Sequence, residues 1–402
     1  MTANITILEL VIESMKIMII SDLATPYMGG GETYVTELGT NLTKLGHEVH
    51  WLASRIPNTK KYENYNGIHI HRIPIILGRK FLFPGRQSFP FMVALSKLDL
   101  VKDMDIVQAN TFVAGYSGWK IAQKANKPSL LFCHELFGEL WKKIGQNVLE
   151  KKLYPKIEKK IARSPYDWYA CPSEYSKSTL IKAGAPEDKI TVIPHGINFD
   201  TYNPNADGMY FRRKFRLKKF KLFGYLGRLR IKNTGQSKNL VTLLDVTKTV
   251  VKEMPDARLV LAGAGYEEMT PLIRQMQLEN HVIYVGNIPY KDNPRFLKTC
   301  NVVVCPALSD GFCFLLAEAS ACGVPLVATN LGSHPERIIN GKTGILTQPT
   351  VESLSDSIIE LLSNEQLMKN FGHEGKKYAE RFKWEESTRK HTEIYEMLLS
   401  KK

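Results

Sequence analysis

Val303-Val-Cys-Pro-Ala307 and, 134 positions earlier, Tyr169-Ala-Cys-Pro-Ser173 carry the same local device, an apolar β-branched or aromatic run that ends in Cys-Pro before a helical pattern. A proline at that point stops a strand and sends the following loop away from the carboxyl edge of a sheet, where ligands of parallel α/β sheets bind. Outward from the first device, strands are predicted at Leu222–Leu226, Ala257–Ala262, Val282–Val285, Val302–Val304, Leu326–Ala328 and Gly344–Leu346. Outward from the second they are predicted at Ile17–Ser21, Glu48–Ala53, Ile106–Gln108, Ser129–Cys133, Trp168–Ala170 and Lys189–Ile193. Helical periodicity separates these runs, so both halves read as parallel βαβ units, and the chain as two doubly wound, Rossmann-like α/β domains.

Length agrees, because 402 residues exceed what one hydrophobic core usually supports. The polar stretch from Asn198 to Gly208 and its basic sequel form the natural hinge, which puts an amino domain at residues 15–205 and a carboxyl domain at 206–382. A last helix, Glu385–Leu399 within residues 383–402, follows. Residues 1–14 lack a basic start, and Glu9 and Glu13 interrupt their apolar run, so they do not read as a signal peptide and stay unassigned. No apolar stretch reaches transmembrane length, since Asp310 and Glu318 divide the longest candidate. The six cysteines show neither a CxxC pair nor a metal-ligand spacing and read as core residues of a protein of the reducing cytoplasm.

A net charge of +14 asks for an anionic partner. Residues 141–163 carry eight Lys/Arg against two Glu, with Leu140, Ile144, Val148, Leu149, Leu153, Ile157 and Ile161 near helical spacing. This is a basic amphipathic surface suited to an anionic membrane, although a solvated helix face with an ordinary core stripe has the same pattern. The run Arg212–Lys221 reads as linker or rim. No helix-turn-helix, zinc or RNP-like pattern supports nucleic-acid binding.

Three segments carry chemistry. Gly29-Gly-Gly-Glu32 follows the first strand and opens a helix (Tyr34, Leu38, Leu42, Leu45), where glycines allow close backbone approach and a helix start favours an anion. Leu222-Phe-Gly-Tyr-Leu-Gly-Arg-Leu-Arg230 ends a strand in glycine and arginine, with Lys232 and Lys238 in the loop beyond. Cations there can neutralise a departing diphosphate. Ser309-Asp-Gly-Phe-Cys-Phe-Leu-Leu-Ala-Glu318 places Asp310 in a loop and a helix at Cys313–Cys322, whose amino end can present N–H groups to a diphosphate. Glu318, amid Leu315, Leu316, Ala317 and Ala319, is a costly residue for an ordinary buried helix and a suitable acceptor for ribose hydroxyls.

The order of these motifs resembles that of the retaining glycosyltransferases of family 4, which have the GT-B fold of two Rossmann-like domains around an interdomain cleft. The matching pieces are Gly29-Gly-Gly-Glu32, His134 in Leu131-Phe-Cys-His-Glu135, Val192-Ile-Pro-His-Gly-Ile-Asn198, Leu226-Gly-Arg228, Leu261-Ala-Gly-Ala-Gly265 and Asp310 to Glu318, which together span nearly the whole chain from Met15. The resemblance implies that Arg228 and a following lysine bind the donor diphosphate, that Glu318 binds the ribose and that Asp310 holds the transferred sugar. It implies that His134 orients the sugar or stabilises charge near the anomeric carbon, that Gly30 and Gly31 approach the phosphate or acceptor, and that Gly311, Phe312 and Cys313 lie against the donor. His195 and Gly196 would shape the cleft, though a plain Pro-His-Gly turn accounts for them nearly as well.

Two features depart from the family pattern. Asp310 stands where a glutamate is usual. The lysine commonly lies about five residues after the arginine, whereas the register of Leu240, Leu243 and Leu244 favours Lys238 and leaves Lys232 as a competitor.

The activity so implied is retaining transfer of a hexose or N-acetylhexosamine from a UDP- or GDP-sugar to a hydroxyl, and residues 141–163 point to a lipid-linked or membrane-surface acceptor and a cytoplasmic, peripherally bound enzyme. No cofactor and no divalent metal are expected. The DxD-like Asp103-Met-Asp105 precedes a strand and reads as a polar strand entry. Gly263-Ala-Gly265 lacks the third glycine and distal acid of a dinucleotide site. The alternatives are the same chemistry on a soluble acceptor, or a catalytically silent scaffold.

Overall fold

In β1 (Lys16–Ile20) the side chains of Ile17, Met18, Ile19 and Ile20 are all fully buried. A strand covered on both faces has no polar side to show, hence the unbroken apolar run rather than alternation. It pairs in parallel with β2 (Glu48–Ser54), Ile19 opposite Trp51, and with β5 (Ile106–Asn110), Ile19 opposite Gln108. A computed structural model describes residues 13–27, 29–76, 89–96, 98–112, 114–145 and 147–401. Residues 1–12 of the unassigned extension lie outside them.

The other strands are β3 (Tyr62–Tyr65), β4 (Ile68–Ile73), β6 (Ser129–Phe132), β7 (Trp168–Cys171), β8 (Ile190–Val192), β9 (Lys221–Leu226), β10 (Ala257–Ala262), β11 (Val282–Gly286), β12 (Val302–Cys305), β13 (Leu326–Thr329) and β14 (Gly344–Thr347). Strand order is β3-β4-β2-β1-β5-β6-β7-β8 in one sheet and β11-β10-β9-β12-β13-β14 in the other. All twelve predicted strands are present within a residue or two of their expected limits. The α/β class with two mainly parallel sheets is therefore observed.

The antiparallel hairpin of β3 and β4 was not predicted. Its signal is in the sequence: Asn66-Gly67 joins the two strands with φ of 52° and 85°, the pair of positive angles of a type I′ turn. The polar composition of Tyr62-Glu-Asn-Tyr65, mostly exposed at the sheet edge, hid it.

The chain divides into two compact units, residues 1–132 with 164–169 and 388–402, and residues 133–163 with 170–387. In the first unit the helix Gly30–Lys44 buries Tyr34, Leu38 and Leu42 and stops at Gly46, whose φ is 91°, while Leu45 is exposed rather than part of the apolar face. A buried polar chain links that helix to the last one, Trp384–Ser400: Tyr34 Oη lies 2.7 Å from His391 Nε2, Gln108 Nε2 donates to Tyr34 Oη at 3.1 Å, and Tyr395 Oη donates to Gln108 Oε1 at 2.6 Å. Asp105 accepts the Lys16 N–H at 2.7 Å, the polar strand entry expected of the DxD-like triplet.

In the second unit one apolar core runs from Leu222 and Phe223 of β9 through Leu259 to Ala262 of β10 to Leu326, Val327 and Ala328 of β13. The basic run 212–221 departs from its expected role as linker or rim. Phe211 and Leu217 are buried, and the Arg212 guanidinium donates to Thr299 O, Phe220 O and Asn301 Oδ1 at 2.9, 3.1 and 2.8 Å. Those acceptors lie beyond strand ends, so this arginine ties chain segments together. Residues 141–163 form two helices, Trp141–Ile144 and Val148–Ala162, interrupted at Gly145. Glu158 is buried beneath the second, accepting N–H groups from Phe137, Gly138 and the Trp141 indole at 2.8, 2.7 and 2.8 Å. Val148 and Leu149 are exposed by 68% and 70%, so this end of the apolar stripe is not spent on core. Among the described residues no helix is long and apolar enough to cross a membrane.

Candidate active site

Parallel β9 and β12 end side by side in the second unit, and the loops after them bring Lys238 to Asp310. After β9, Gly227 adopts φ 155°, and a Cβ at Gly263 would stand 1.9 Å from the Gly227 carbonyl oxygen. Gly263 therefore serves a crossing of two strand ends, which accounts for Gly263-Ala-Gly265 without a dinucleotide. Arg228 follows, exposed. The loop then forms a 3-10 turn, Asn233–Lys238, from which Lys238 reaches inward.

Lys238 Nζ donates to Asp310 Oδ2 at 2.7 Å, each side chain about one-fifth exposed. The other oxygen of Asp310 accepts the backbone N–H groups of Phe312 and Cys313 at 3.2 and 2.6 Å, a turn in which the short carboxylate caps its own loop just before the helix Phe314–Ala321. A glutamate in this place has one methylene too many for the same short turn. Lys232 is exposed, and its backbone N–H donates to Glu268. Of the two competing lysines, Lys238 is the one brought to Asp310.

Gly311 lies on the backbone of His134: a Cβ there would be 1.8 Å from the His134 carbonyl oxygen. Ser176 Oγ bridges the two segments, donating to His134 O at 3.2 Å and Gly311 O at 3.4 Å. The His134 and His195 rings are 5.5 Å apart, and His195 stacks on Phe314 at 5.1 Å and packs against Phe312 at 4.8 Å. Gly196 is required by Trp384, whose backbone nitrogen would lie 2.3 Å from a Cβ at that position. Arg337 supports the loop from beneath, its Nε donating to Phe312 O at 2.9 Å and its guanidinium lying over the Phe312 ring. Glu318 is buried on the helix Phe314–Ala321; burial raises the titration of Tyr202 and Cys322, and the Glu318 charge adds to that rise. Gly30 and Gly31 form the first turn of their helix in the first unit.

One residue of this cluster was not singled out from the sequence. Glu135, next to His134, accepts a hydrogen bond from Ser309 Oγ, which is in turn 3.0 Å from Tyr175 Oη. Burial pushes the Glu135 carboxyl up to about 7; Lys238 opposes the rise and Asp310 adds to it. Burial also acts against Asp310 and Lys238 as ions, but their mutual attraction wins, holding the aspartate below and the lysine above their ordinary values. Two carboxyl groups thus share one ammonium, and Glu135 is the one left near neutrality. A carboxylate directly after a strand-end histidine was the available signal.

The family descriptions match both parts of the chain, Glycosyltransferase Family 4 over residues 28–201 and Glycosyl transferases group 1 over residues 210–378. The chain belongs to glycosyltransferase family 4. It is 25% identical over 393 residues to the N-acetyl-alpha-D-glucosaminyl L-malate synthase of Bacillus anthracis, covering 92% of this chain and 94% of that protein. It is 26% identical over 218 residues to a GDP-mannose-dependent alpha-(1-6)-phosphatidylinositol monomannoside mannosyltransferase of Mycolicibacterium smegmatis, covering 52% of this chain and 56% of that one. Among solved structures, the sucrose-phosphate synthase of Thermosynechococcus elongatus superposes with a TM-score of 0.83 at 22% identity, covering 96% of this chain and 99% of that chain. HepE of Anabaena, in complex with UDP and glucose, superposes with a TM-score of 0.78 at 19% identity, covering 95% and 100%. These neighbours establish the GT-B fold of this glycosyltransferase.

Proposed function

We propose that this glycosyltransferase moves a hexose or N-acetylhexosamine from a UDP- or GDP-sugar to a hydroxyl of a lipid-linked or membrane-surface acceptor, with retention of anomeric configuration and without a divalent ion at the diphosphate. The observation that carries the donor part is the Lys238–Asp310 pair at the amino end of the helix Phe314–Ala321, with Arg228 exposed on the neighbouring strand end. Fixed cations and backbone amides are what a leaving diphosphate needs, because negative charge grows on it as the glycosidic bond breaks. In this reading Arg228 and Lys238 hold the diphosphate, Glu318 the ribose, and Asp310 with Gly311, Phe312 and Cys313 the sugar. Gly30 and Gly31 contribute helix-start amides, and His134 stabilises charge near the anomeric carbon. The departing phosphate takes the acceptor hydroxyl's proton, so no protein nucleophile is used.

The acceptor part rests on Val148 and Leu149, exposed among Lys142, Lys143, Lys151 and Lys152. Exposed apolar side chains flanked in sequence by exposed lysines suit an anionic bilayer surface, and a peripheral site on its cytoplasmic face follows from that reading. A second reading, the same transfer to a soluble acceptor, is favoured by similarity over 92% of the chain to an enzyme named for L-malate.

Thermal stabilisation by UDP-, GDP-, ADP- and CMP-sugars, in buffer without Mg2+ or Mn2+, tests the donor site. One nucleotide class should stabilise the wild type, with the shift lost in Arg228→Ala and Glu318→Ala. If no nucleotide sugar binds, the transferase reading fails in favour of a silent scaffold; if binding appears only with Mg2+ or Mn2+, the metal-independent part fails. Flotation with anionic liposomes tests the surface: salt-sensitive binding that disappears when Lys151, Lys152, Lys159 and Lys160 become glutamate, with donor hydrolysis retained, supports the membrane acceptor. Wild-type protein that stays unbound in low salt supports the soluble one.

A further inference from the structure

Three potential metal ligands from separate segments converge beside the candidate site. Cys305 ends β12, Cys313 precedes the helix Phe314–Ala321, and His334 opens the 3-10 turn His334–Glu336 after β13. All three are buried. Cys305 Sγ lies 3.6 Å from Cys313 Sγ and 3.6 Å from His334 Nε2, and the three donor atoms lie within 4.8 Å of one another.

We propose that Cys305, Cys313 and His334 bind one soft metal ion, Zn2+ or Cu+, which clamps the two ends of the loop carrying Asp310. Metal–sulfur bonds of about 2.3 Å and metal–nitrogen bonds of about 2.0–2.1 Å, at tetrahedral angles, separate two sulfurs by about 3.8 Å and sulfur from nitrogen by about 3.6 Å. The two spacings from Cys305 match that geometry, the third pair lies within 4.8 Å, and the two sulfurs are far beyond a disulfide bond of about 2.0 Å. The imidazole is also oriented as a ligand. His334 Nδ1 donates to the Thr329 carbonyl at 2.8 Å, which leaves the Nε2 lone pair turned to Cys305. A backbone carbonyl that fixes the distal ring nitrogen is the usual outer partner of a metal-bound histidine.

The backbone at Cys313 points the same way. This residue sits at φ 60°, where glycine is the comfortable choice, yet a cysteine stands there with its thiol against Cys305. Thiolate and imidazole together select Zn2+ or Cu+ over harder cations. On binding, each thiol passes its proton to solvent and the sulfur pairs go to the metal, with no change of oxidation state. The ion takes the Cys313 thiol, a residue that the donor reading also places beside the sugar, but the test reads bound metal and not donor binding, so the two can fail separately.

The test uses the full, reduced chain loaded with Zn2+ alone or, without oxygen, with Cu+ alone, freed of excess metal and assayed by mass spectrometry. Separately, Co2+ is added to read its near-ultraviolet thiolate charge-transfer band. About one ion per chain is expected for Zn2+ or Cu+, and the retained metal identifies which. A loss of at least about tenfold in affinity is expected for His334→Gln, Cys305→Ser and Cys313→Gly, but not for Cys133→Ser. Cys313→Gly keeps the left-handed position comfortable, so loss of metal there is not loss of fold. Absence of both bound metal and charge-transfer band in a wild-type chain with six titratable thiols overturns the proposal. Metal content unchanged in Cys313→Gly overturns it equally.

Discussion

Lys238 Nζ lies 2.7 Å from Asp310 Oδ2 across 72 positions of sequence, and Glu135 shares the same ammonium electrostatically. This lysine is thus the counter-ion of two carboxyl groups before any substrate arrives. Lys238→Ala leaves both without a cation and removes the charge assigned to the leaving group. The expected result is a fall of about 10²–10³ in kcat for donor turnover, with a lower thermal midpoint. Activity within about threefold of wild type would make Lys232 the diphosphate lysine.

Glu135 titrates near 7 in the fold against about 4.5 in the unfolded chain. The folded state binds the extra proton between those values, so this residue's contribution makes stability fall as pH rises from about 4.5 to 7 and stay low above it. Glu135→Gln mimics the protonated form. The thermal midpoints of variant and wild type should therefore coincide near pH 4.5 and separate in favour of the variant by pH 7.5, within the tolerance set by the neighbouring lysine. A gap of constant size across that range sinks the assignment.

Gly311→Ala puts a methyl group 1.8 Å from the His134 carbonyl. Neither backbone yields cheaply, so a loss of about 1–3 kcal/mol in unfolding free energy is expected, together with weaker donor binding as the Asp310 loop shifts. Urea unfolding and nucleotide-sugar titration read the two effects. A variant with wild-type stability contradicts the close approach.

Tyr395→Phe removes the hydroxyl that donates to Gln108 Oε1 at 2.6 Å in the buried Tyr34, His391 and Gln108 network. An unsatisfied buried acceptor costs about 1–3 kcal/mol, whereas an adequately solvated one costs little. Unfolding in urea should show the larger loss, and one below about 0.5 kcal/mol would place water in the network.

The alternation of apolar runs and helical periodicity was sufficient by itself for the twelve core strands and the α/β class, because side-chain period is a local property of each element. The Asn66-Gly67 hairpin was legible too, but its outer strand β3 is a short, polar edge strand with no apolar run to mark it. Motif order also placed Arg228, Asp310 and Glu318 at strand ends or on the adjoining helix. What sequence alone left open was choice among neighbours and meeting of distant groups. Lys238 over Lys232 and the trio of Cys305, Cys313 and His334 depend on strand order β9-β12-β13, and the near-neutral Glu135 on the segment after β6 meeting the Asp310 loop, so residues separated by tens or hundreds of positions stand side by side. Local periodicity carries no record of those crossovers. Burial and charge pairing exist only after they are made, which is why titration at Glu135 and ligand geometry at His334 belong to the tertiary structure.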